Sequence, residues 1–266
     1  MIPYPPASAA GPLDGFRVEW DPSLERADIV LDRPPLNIVS MAERGQLAAA
    51  FAALEAEPSV RIIVLRGAGA HFSSGGNIQG FLESTPETLS RLADAVASPE
   101  RCAKPVIAAV RGYCFGVGFE LSLACDFRIA SETAEFALPE MRIGMIPGSG
   151  GSARLVHMIG IARAKEIALR SRRIKAAEAL QWGIVSERVP DDALEAATTR
   201  LVDELRGFSP LAQRTLKRVL NEGQHLSVKG AIELEGEAYA RLRSSADFKE
   251  GVEAFQAKRK PVFRGE

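Results

Sequence analysis

Two glutamates occupy positions where a carboxyl group could transfer protons. Glu120 follows Gly118 by two residues at the start of an apolar stretch, and Glu140 follows Pro139 between apolar neighbours. Burial disfavours the charged carboxylate and so raises its pKa toward the range that is useful for general acid–base catalysis. A helix cap or a salt bridge would account for each glutamate equally well. Catalysis and a structural role therefore both stay open at this point.

Three glycine-rich turns accompany these acids in the sequence, at 72–77, 112–120 and 147–151. Each turn follows an apolar stretch, and the second and third lead into predicted helices. Such turns can present backbone N–H groups at a helix N-terminus, where they bind anions or stabilise a developing negative charge. Glycine also permits a tight turn without any further role. The combination of three turns with two acids favours a functional site.

Common catalytic motifs do not fit these turns. Leu121 stands where a dinucleotide-binding fingerprint needs its third glycine, and no lysine follows the 148–151 turn as in a phosphate-binding loop. Ser74 and Ser149 both lack the glycine two residues earlier that a nucleophile elbow requires. The three histidines are scattered, at 71, 157 and 225, without metal-binding spacing. We therefore expect neither a metal site nor a Ser–His hydrolase.

Composition narrows the class of protein further. The 266 residues are 46% hydrophobic, enough for a large core, and 33 basic against 34 acidic residues leave a net charge of −1. This balance argues against a general nucleic-acid partner. The three cysteines are an odd number, which predicts a reducing compartment and a cytoplasmic location. No apolar run approaches 18 residues, so no membrane span is expected.

The elements that must position the glutamates have an α/β pattern. Strands are predicted around 16–20, 27–31, 62–65 and 106–110, and the last two are continuously apolar, as in a sheet covered on both faces. Ser40 and Glu43 have the spacing of a capping box for a helix. The apolar residues of that helix share one face: Leu47, Phe51 and Leu54.

The last third of the chain is predicted to be mostly helical. Helices are expected at four places: 191–206, from Pro210 onward, 228–242 and 247–257. The expected organisation has three parts: a flexible tail over 1–15, a core over 16–205 and a helical C-terminal region over 206–266.

These segments, in this order, resemble the crotonase (enoyl-CoA hydratase/isomerase) superfamily. The similarity covers about 16–264 and rests on five stretches: 72–76, 112–125, 136–151, 174–189 and 250–263. It implies an α/β fold, a spiral of repeated ββα units with a C-terminal helical trimerisation region. Homotrimers, or dimers of trimers, are the assemblies that the resemblance implies.

The resemblance also implies a catalytic arrangement for an acyl-CoA. Backbone N–H groups of Gly76 and Val117 would form an oxyanion hole, and Glu120 and Glu140 would hold water that adds across a 2,3 double bond. Five residues would contact substrate or coenzyme A: Ser74, Asn77, Phe115, Lys258 and Lys260. Other candidates for the acyl pocket, which could equally be core residues, are Phe81, Leu82, Phe119 and Met145. Coenzyme A would arrive as part of the substrate, with no metal or redox cofactor.

The chain departs from the family pattern at two positions. Val117 replaces a residue that is usually small and could narrow the acyl pocket, and Asn77 replaces an acid that is common after the two glycines. An isomerase or a CoA-ester C–C hydrolase on the same scaffold is the alternative to a hydratase. A non-enzymatic relative that binds RNA would lack the acids and have a basic surface.

Overall fold

The computed structural model describes residues 2–3 and 13–266. Its strands are β1 (Ile2–Pro3), β2 (Phe16–Asp21), β3 (Arg26–Leu31), β4 (Ile62–Gly67), β5 (Val106–Val110), β6 (Tyr113–Phe115), β7 (Phe127–Ser131), β8 (Glu135–Ala137), β9 (Ile174–Lys175) and β10 (Glu187–Val189). Its α-helices are α1 (Met41–Ala56), α2 (Ile78–Leu82), α3 (Pro86–Val96), α4 (Ser98–Arg101), α5 (Val117–Ala124), α6 (Gly151–Ala168), α7 (Ala176–Gln181), α8 (Leu194–Arg206), α9 (Pro210–Gly223), α10 (Val228–Leu242) and α11 (Ala246–Gln256). Short 3₁₀ helices cover Pro22–Leu24, Glu140–Ile143 and Asp191–Ala193.

The chain divides into two compact units. The first comprises Met1–Cys102 with Val106–Thr199, and the second comprises Ala103–Pro105 with Arg200–Glu266. The division falls inside α8, a few residues before the predicted boundary at 205. Helix α8 continues across this division because each helical hydrogen bond joins residues only four apart in the chain.

The predicted tail over 1–15 is tied to the first unit wherever it is described. Ile2 and Pro3 pair antiparallel with Trp20 and Glu19, and the N–H of Asp14 donates to the Gln46 side chain at 2.9 Å. These residues are paired by backbone and side-chain hydrogen bonds, and the flexibility of the tail stays a prediction. Residues 1 and 4–12, which complete the predicted tail, lie outside the described residues.

The main sheet of the first unit has the order β1-β2-β3-β4-β5-β7-β10 among the described residues. Its first three strands pair antiparallel, and from β3 onward every pairing is parallel. Every residue of β3 and β5 is buried. Continuous apolar composition, as in β5, is typical of strands covered on both faces, so the α/β prediction is confirmed.

A second sheet joins the segments that carry the two glutamates. β6 and β8 pair parallel with Phe115 opposite Ala137, and β9 completes the sheet on the other side of β8. Parallel strands end at the same edge, so the chain that follows Phe115 and the chain that follows Ala137 emerge side by side. This pairing brings the start of α5 and the Glu140 turn together.

Helix α1 begins where the sequence predicts. The Glu43 N–H donates to Ser40 Oγ and the Ser40 N–H donates to a Glu43 carboxylate oxygen, each at 3.1 Å. This reciprocal capping box satisfies two backbone donors that would otherwise have no partner. The predicted face of Leu47, Phe51 and Leu54 is buried in the core of the first unit.

The second unit consists of the end of α8 with α9, α10 and α11. Pro210 begins α9, and α10 has the predicted bounds. Asp247 organises the C-terminus, because its carboxylate accepts N–H groups of Arg264 and Gly265 and the Ser209 hydroxyl. No helix in the described part of the chain is both long and apolar enough to cross a bilayer.

Candidate active site

Three chain segments meet at the edge of the second sheet. The Phe115 N–H donates to the Ser73 carbonyl at 2.9 Å, and the Gly116 N–H donates to the Ala137 carbonyl at 3.0 Å. The 72–77 turn therefore runs beside β6, while β8 runs along its other side. A Cβ built on Gly116 would lie 3.6 Å from the Gly75 Cα, so the two glycine turns are in direct contact.

A cavity of about 320 Å³ opens where these segments meet. It is lined by α1, by the turn after Phe72 with α2 and α3, by the start of α5 and by 139–149. Most of the wall is apolar, with side chains such as Ile78, Leu92 and Ile143. Polar groups reach it at a few points only, which is the usual character of a small-molecule site.

Gly76 and Val117, the two residues predicted to form an oxyanion hole, both lie at the wall. The Val39 N–H donates to the Gly75 carbonyl and the Asn77 N–H donates to the Val39 carbonyl, so the Gly76 N–H between them points away from Val39. Val117 is the first residue of α5, where the N–H has no carbonyl partner one turn earlier. Neither N–H is thus used by the backbone pairing described here, and their role as an oxyanion hole stays a prediction.

Glu120 lies in α5 with only 3% of its surface exposed. One carboxylate oxygen accepts the Ser149 N–H at 2.7 Å and the Gly151 N–H at 3.0 Å, at the N-terminus of α6. Burial raises the pKa of Glu120, and these two N–H donors with the charges of Arg44 and Arg154 oppose that rise. Each of the opposing contacts favours the ionised carboxylate, as a helix N-terminus does for an anion.

Glu140 opens the short 3₁₀ helix that follows β8 and is half-buried at the cavity. Its Oε2 is buried without a hydrogen-bond partner. Burial raises the pKa of Glu140 to about 7, and the charge of Glu120 raises it as well. No ion pair accounts for this carboxyl among the described residues, and a buried oxygen without a partner is unusual.

The sequence reasoning missed Arg44, a third charged residue at the cavity. Arg44 belongs to α1, is 4% exposed and lines the same wall as the two glutamates. Its guanidinium carbon lies 5.4 Å from the centre of the Phe81 ring. The spacing did contain a signal, because Arg44 precedes Leu47 by three residues and so shares the buried face of the helix. A charge on an apolar helix face is unusual and points to a function.

Some of the predicted site residues line the cavity and others do not. Those at the wall are Ser74, Gly76, Phe81, Val117, Glu120, Glu140 and Met145. Two of the proposed acyl-pocket residues lie elsewhere: Leu82 is 89% exposed, and Phe119 packs against Phe136 in the core. Lys258 and Lys260 are exposed residues of the second unit, and their predicted contact with coenzyme A stays a prediction.

Phe115 and Asn77 do not line this cavity, and their predicted contacts with substrate stay predictions. The Phe115 ring stacks on Tyr113 at 4.7 Å and lies under the Arg173 guanidinium. Side chains alternate along a strand, so Phe115 points away while the following backbone turns toward the cavity. Asn77 is exposed, and its side chain makes no capping hydrogen bond to α2.

The structural interpretation of the histidines holds for His71. Its Nδ1 accepts the Tyr113 N–H at 3.1 Å, and its ring stacks on the Tyr113 ring at 4.2 Å. Among the described residues, no group of three or more His, Cys, Asp and Glu side chains could hold a metal ion.

Comparison with known proteins identifies the fold and then the family. An enoyl-CoA hydratase subunit I from Geobacillus kaustophilus superposes with a TM-score of 0.90 at 35% identity, covering 96% of this chain and 99% of that one. An enoyl-CoA hydratase from Bacillus anthracis gives 0.88 at 33% identity, covering 95% and 100%. The fold is therefore that of the crotonase proteins.

The sequence comparisons agree with the structural ones. The enoyl-CoA hydratase/isomerase family model matches residues 26–266. A probable enoyl-CoA hydratase of Rhizobium meliloti is 38% identical over 240 residues, which are 89% of this chain and 93% of that protein. A carnitinyl-CoA dehydratase of Proteus mirabilis is 35% identical over 246 residues, 90% and 94% of the two chains. This chain belongs to the enoyl-CoA hydratase/isomerase family, and the resemblance seen in its sequence is confirmed.

Proposed function

We propose that this protein catalyses the reversible addition of water across the 2,3 double bond of an enoyl-CoA thioester. The observation that carries the proposal is the pair of glutamates, Glu120 and Glu140, at one cavity with two available backbone N–H groups. Membership of the family makes an acyl-CoA substrate the consistent choice. Hydration needs a base for water, an acid for C2 and stabilisation of an enolate, and the cavity offers a group for each.

The N–H groups of Gly76 and Val117 bind the thioester carbonyl oxygen. Attack at C3 moves electron density onto this oxygen, so hydrogen bonds to it strengthen as the enolate forms. The position of Val117 at the start of α5 adds the positive end of that helix. The valine side chain lies at the wall and restricts the width of the acyl group beside the carbonyl.

Glu120 acts as the base and Glu140 as the acid. Burial raises the pKa of Glu120, and the N–H groups of Ser149 and Gly151 oppose that rise by stabilising its carboxylate. Glu140 lacks these two donors and, with a pKa of about 7, is about half protonated near neutrality. Glu120 takes one proton from water as the water oxygen bonds to C3, and Glu140 gives its proton to C2 as the thioester carbonyl re-forms. Proton exchange with solvent then restores both groups, and the reverse sequence eliminates water.

Coenzyme A enters as part of the substrate, and the proposed proton transfers require no additional cofactor. Ser74 lines the cavity near the thioester site, and we retain Lys258 and Lys260 as partners for the phosphates of coenzyme A. The three free cysteines support a reducing, cytoplasmic location.

The helical second unit is proposed to assemble the protein into homotrimers, or dimers of trimers. Its outer faces carry apolar side chains at helical spacing that are more than half exposed: Leu216 and Leu220 on α9, and Val228, Ile232 and Tyr239 on α10. Exposed apolar patches of this kind mark interaction surfaces.

Leu220→Glu should lower the molar mass measured by light scattering toward that of the monomer, whereas Lys229→Glu, an exposed change on α10, should not. A wild-type monomer at micromolar concentration would refute the assembly.

The test of the hydratase proposal is Glu→Gln at each acid, which keeps the side-chain shape and removes proton transfer. General acid–base catalysis contributes about 10²–10⁴-fold, so each variant should lose kcat by roughly that factor with little change in KM. The assay is incorporation of ¹⁸O from water at C3 of the best substrate in a screen of enoyl-CoA esters. Glu166→Gln, on the exposed side of α6, is the matched control.

The same variants separate a hydratase from the isomerase alternative. An isomerase needs one acid, so Glu140→Gln would abolish turnover while Glu120→Gln retained most of it. A C–C hydrolase would instead release a ring-opened or shortened CoA product that mass spectrometry detects. Near-wild-type hydration by Glu120→Gln would refute the two-carboxylate mechanism.

A further inference from the structure

Arg44 is a buried cation at the cavity wall beside the proposed oxyanion hole. A Cβ built on Gly76 would lie 2.9 Å from one Nη of Arg44 and 3.0 Å from Cζ of Phe81. The guanidinium therefore sits against the backbone whose N–H we assign to the thioester carbonyl. The absence of a side chain at Gly76 is what allows this approach. When the thioester carbonyl binds there, the first carbons of the acyl group lie close to the positive charge of this guanidinium.

The described residues do not neutralise Arg44 by direct contact. Its Nε has no hydrogen-bond partner, and no carboxylate of the described residues lies within ion-pair distance of its guanidinium. Glu120 and Glu43 act on it only through their charges, and burial lowers its pKa. Glu43 is already occupied by the Ser40 cap and Arg33.

Two other buried arginines, Arg26 and Arg128, have direct hydrogen-bond acceptors. Arg26 donates to both carboxylate oxygens of Asp28, at 2.6 and 2.9 Å. Arg128 donates to the carbonyls of Ile184, Ser122 and Cys125. Arg44 is different because it faces a cavity. A buried guanidinium is costly without an acceptor, so a ligand that supplies one is favoured.

We propose that Arg44 binds a carboxylate carried by the acyl group, and that the substrate is a short enoyl-CoA derived from a dicarboxylic acid. A guanidinium presents paired N–H donors that match a carboxylate in a bidentate geometry. The apolar side chains of Ile78, Leu92 and Ile143 accommodate the hydrocarbon between the two ends. A cationic acyl group, such as that of carnitinyl-CoA, is disfavoured by the same charge. This inference rests on the proposed function, since it assigns the acyl group of that reaction.

Binding of unreactive ligands tests the role of Arg44 without depending on catalysis. Calorimetry compares glutaryl-CoA, which carries the carboxylate, with pentanoyl-CoA, which has the same number of carbons and a methyl end. We expect wild-type protein to bind glutaryl-CoA at least about tenfold more tightly. Arg44→Met should bring that ratio to one or below, and Arg44→Lys should give an intermediate ratio because it keeps the charge and loses the paired donors. Arg170→Met, an exposed arginine paired with Glu166, should keep the wild-type ratio.

Two results would overturn the assignment. One is a wild-type protein with no preference for glutaryl-CoA, a measurement that needs no variant and so stands even if Arg44→Met does not fold. The other is an equal loss of affinity for both ligands in Arg44→Met and Arg44→Lys, which would make Arg44 a structural residue. Circular dichroism confirms that the variants compared are folded.

Turnover separates this inference from the proposed function. The values of kcat/KM are compared for three substrates: glutaconyl-CoA, crotonyl-CoA and the trimethylammonio derivative of crotonyl-CoA. We expect kcat/KM to be highest for glutaconyl-CoA, intermediate for crotonyl-CoA and lowest for the trimethylammonio derivative. If glutaryl-CoA binding depends on Arg44 but none of the three is hydrated, hydration fails and the carboxylate site stands. If crotonyl-CoA is hydrated as well as glutaconyl-CoA, hydration stands and the carboxylate site fails.

Discussion

Glu140 should make the protein less stable as the pH rises from about 4.5 to about 7. Its pKa is about 7 in the folded protein and 4.5 for an ordinary glutamate, so the folded state holds a proton that the unfolded chain has released in this window. Stability falls with pH wherever the native state binds more protons. Replacement by Gln leaves a neutral side chain of the same shape, and the variant should not show this loss.

The magnitude follows from the size of the pKa change. At full strength the shift corresponds to about 3 kcal/mol, since one pKa unit is about 1.4 kcal/mol. Glu140 is only half-buried, so solvent screens its charge, and we expect about 1–2 kcal/mol. Glu140→Gln should therefore equal the wild type below about pH 4.5 and exceed it by this amount above about pH 7.

The assay is urea unfolding of both proteins across this pH range, at equal protein concentration because subunit association adds to apparent stability. Glu250→Gln is a control for which the stability difference from the wild type should change with pH in the opposite direction. Arg259 lowers the pKa of Glu250 to about 2, so its contribution is present above about pH 4.5 and is lost as the pH falls toward 2. Parallel stability curves for wild type and Glu140→Gln would refute the conclusion that burial keeps this carboxyl protonated.

Three further outcomes are expected. The values of kcat/KM for hydration and for dehydration should fall together as the pH rises through about 7, because the overall reaction takes up no proton and both directions need one proton on the pair of glutamates; kcat/KM measured both ways checks this. Gly116→Ala should lower kcat at least about tenfold, since Gly116 has φ +51° and a Cβ would lie 3.1 Å from Glu140 Oε1. The control Gly236→Ala adds a Cβ in open space on α10 and should leave kcat unchanged. Asn37→Ala should destabilise the protein by about 2–3 kcal/mol in urea, because two carbonyls lose the donors of a buried amide.

Local signals in the sequence determined the elements. The Ser40–Glu43 box marks the start of α1, Pro210 marks the start of α9, and continuous apolar residues mark β4 and β5. These signals are recognisable in the sequence because capping, proline geometry and strand burial depend on residues close in the chain. No local signal predicted the strand at the N-terminus, because pairing of Ile2 and Pro3 with β2 depends on a partner many residues away.

The sequence by itself also identified the two glutamates and the glycine turns as candidates for the chemistry, but it left a structural role open for each. Only the tertiary structure showed that the two acids meet, by pairing β6 with β8 so that Glu120 and Glu140 reach one cavity. In the same sheet, Phe115 does not line that cavity, although it directly precedes Gly116 in the glycine turn. Strand alternation and register determine such outcomes, and neither is encoded by residue type alone.

Arg44 shows most clearly what the tertiary structure added. Its spacing from Leu47 placed it on the apolar face of α1, yet that spacing could not say what it would meet. The close approach of Gly76 to α1 places the guanidinium at a cavity rather than against a carboxylate. Helical periodicity determines which face a residue occupies, whereas the packing of distant segments determines whether a charge on that face is neutralised or left for a ligand.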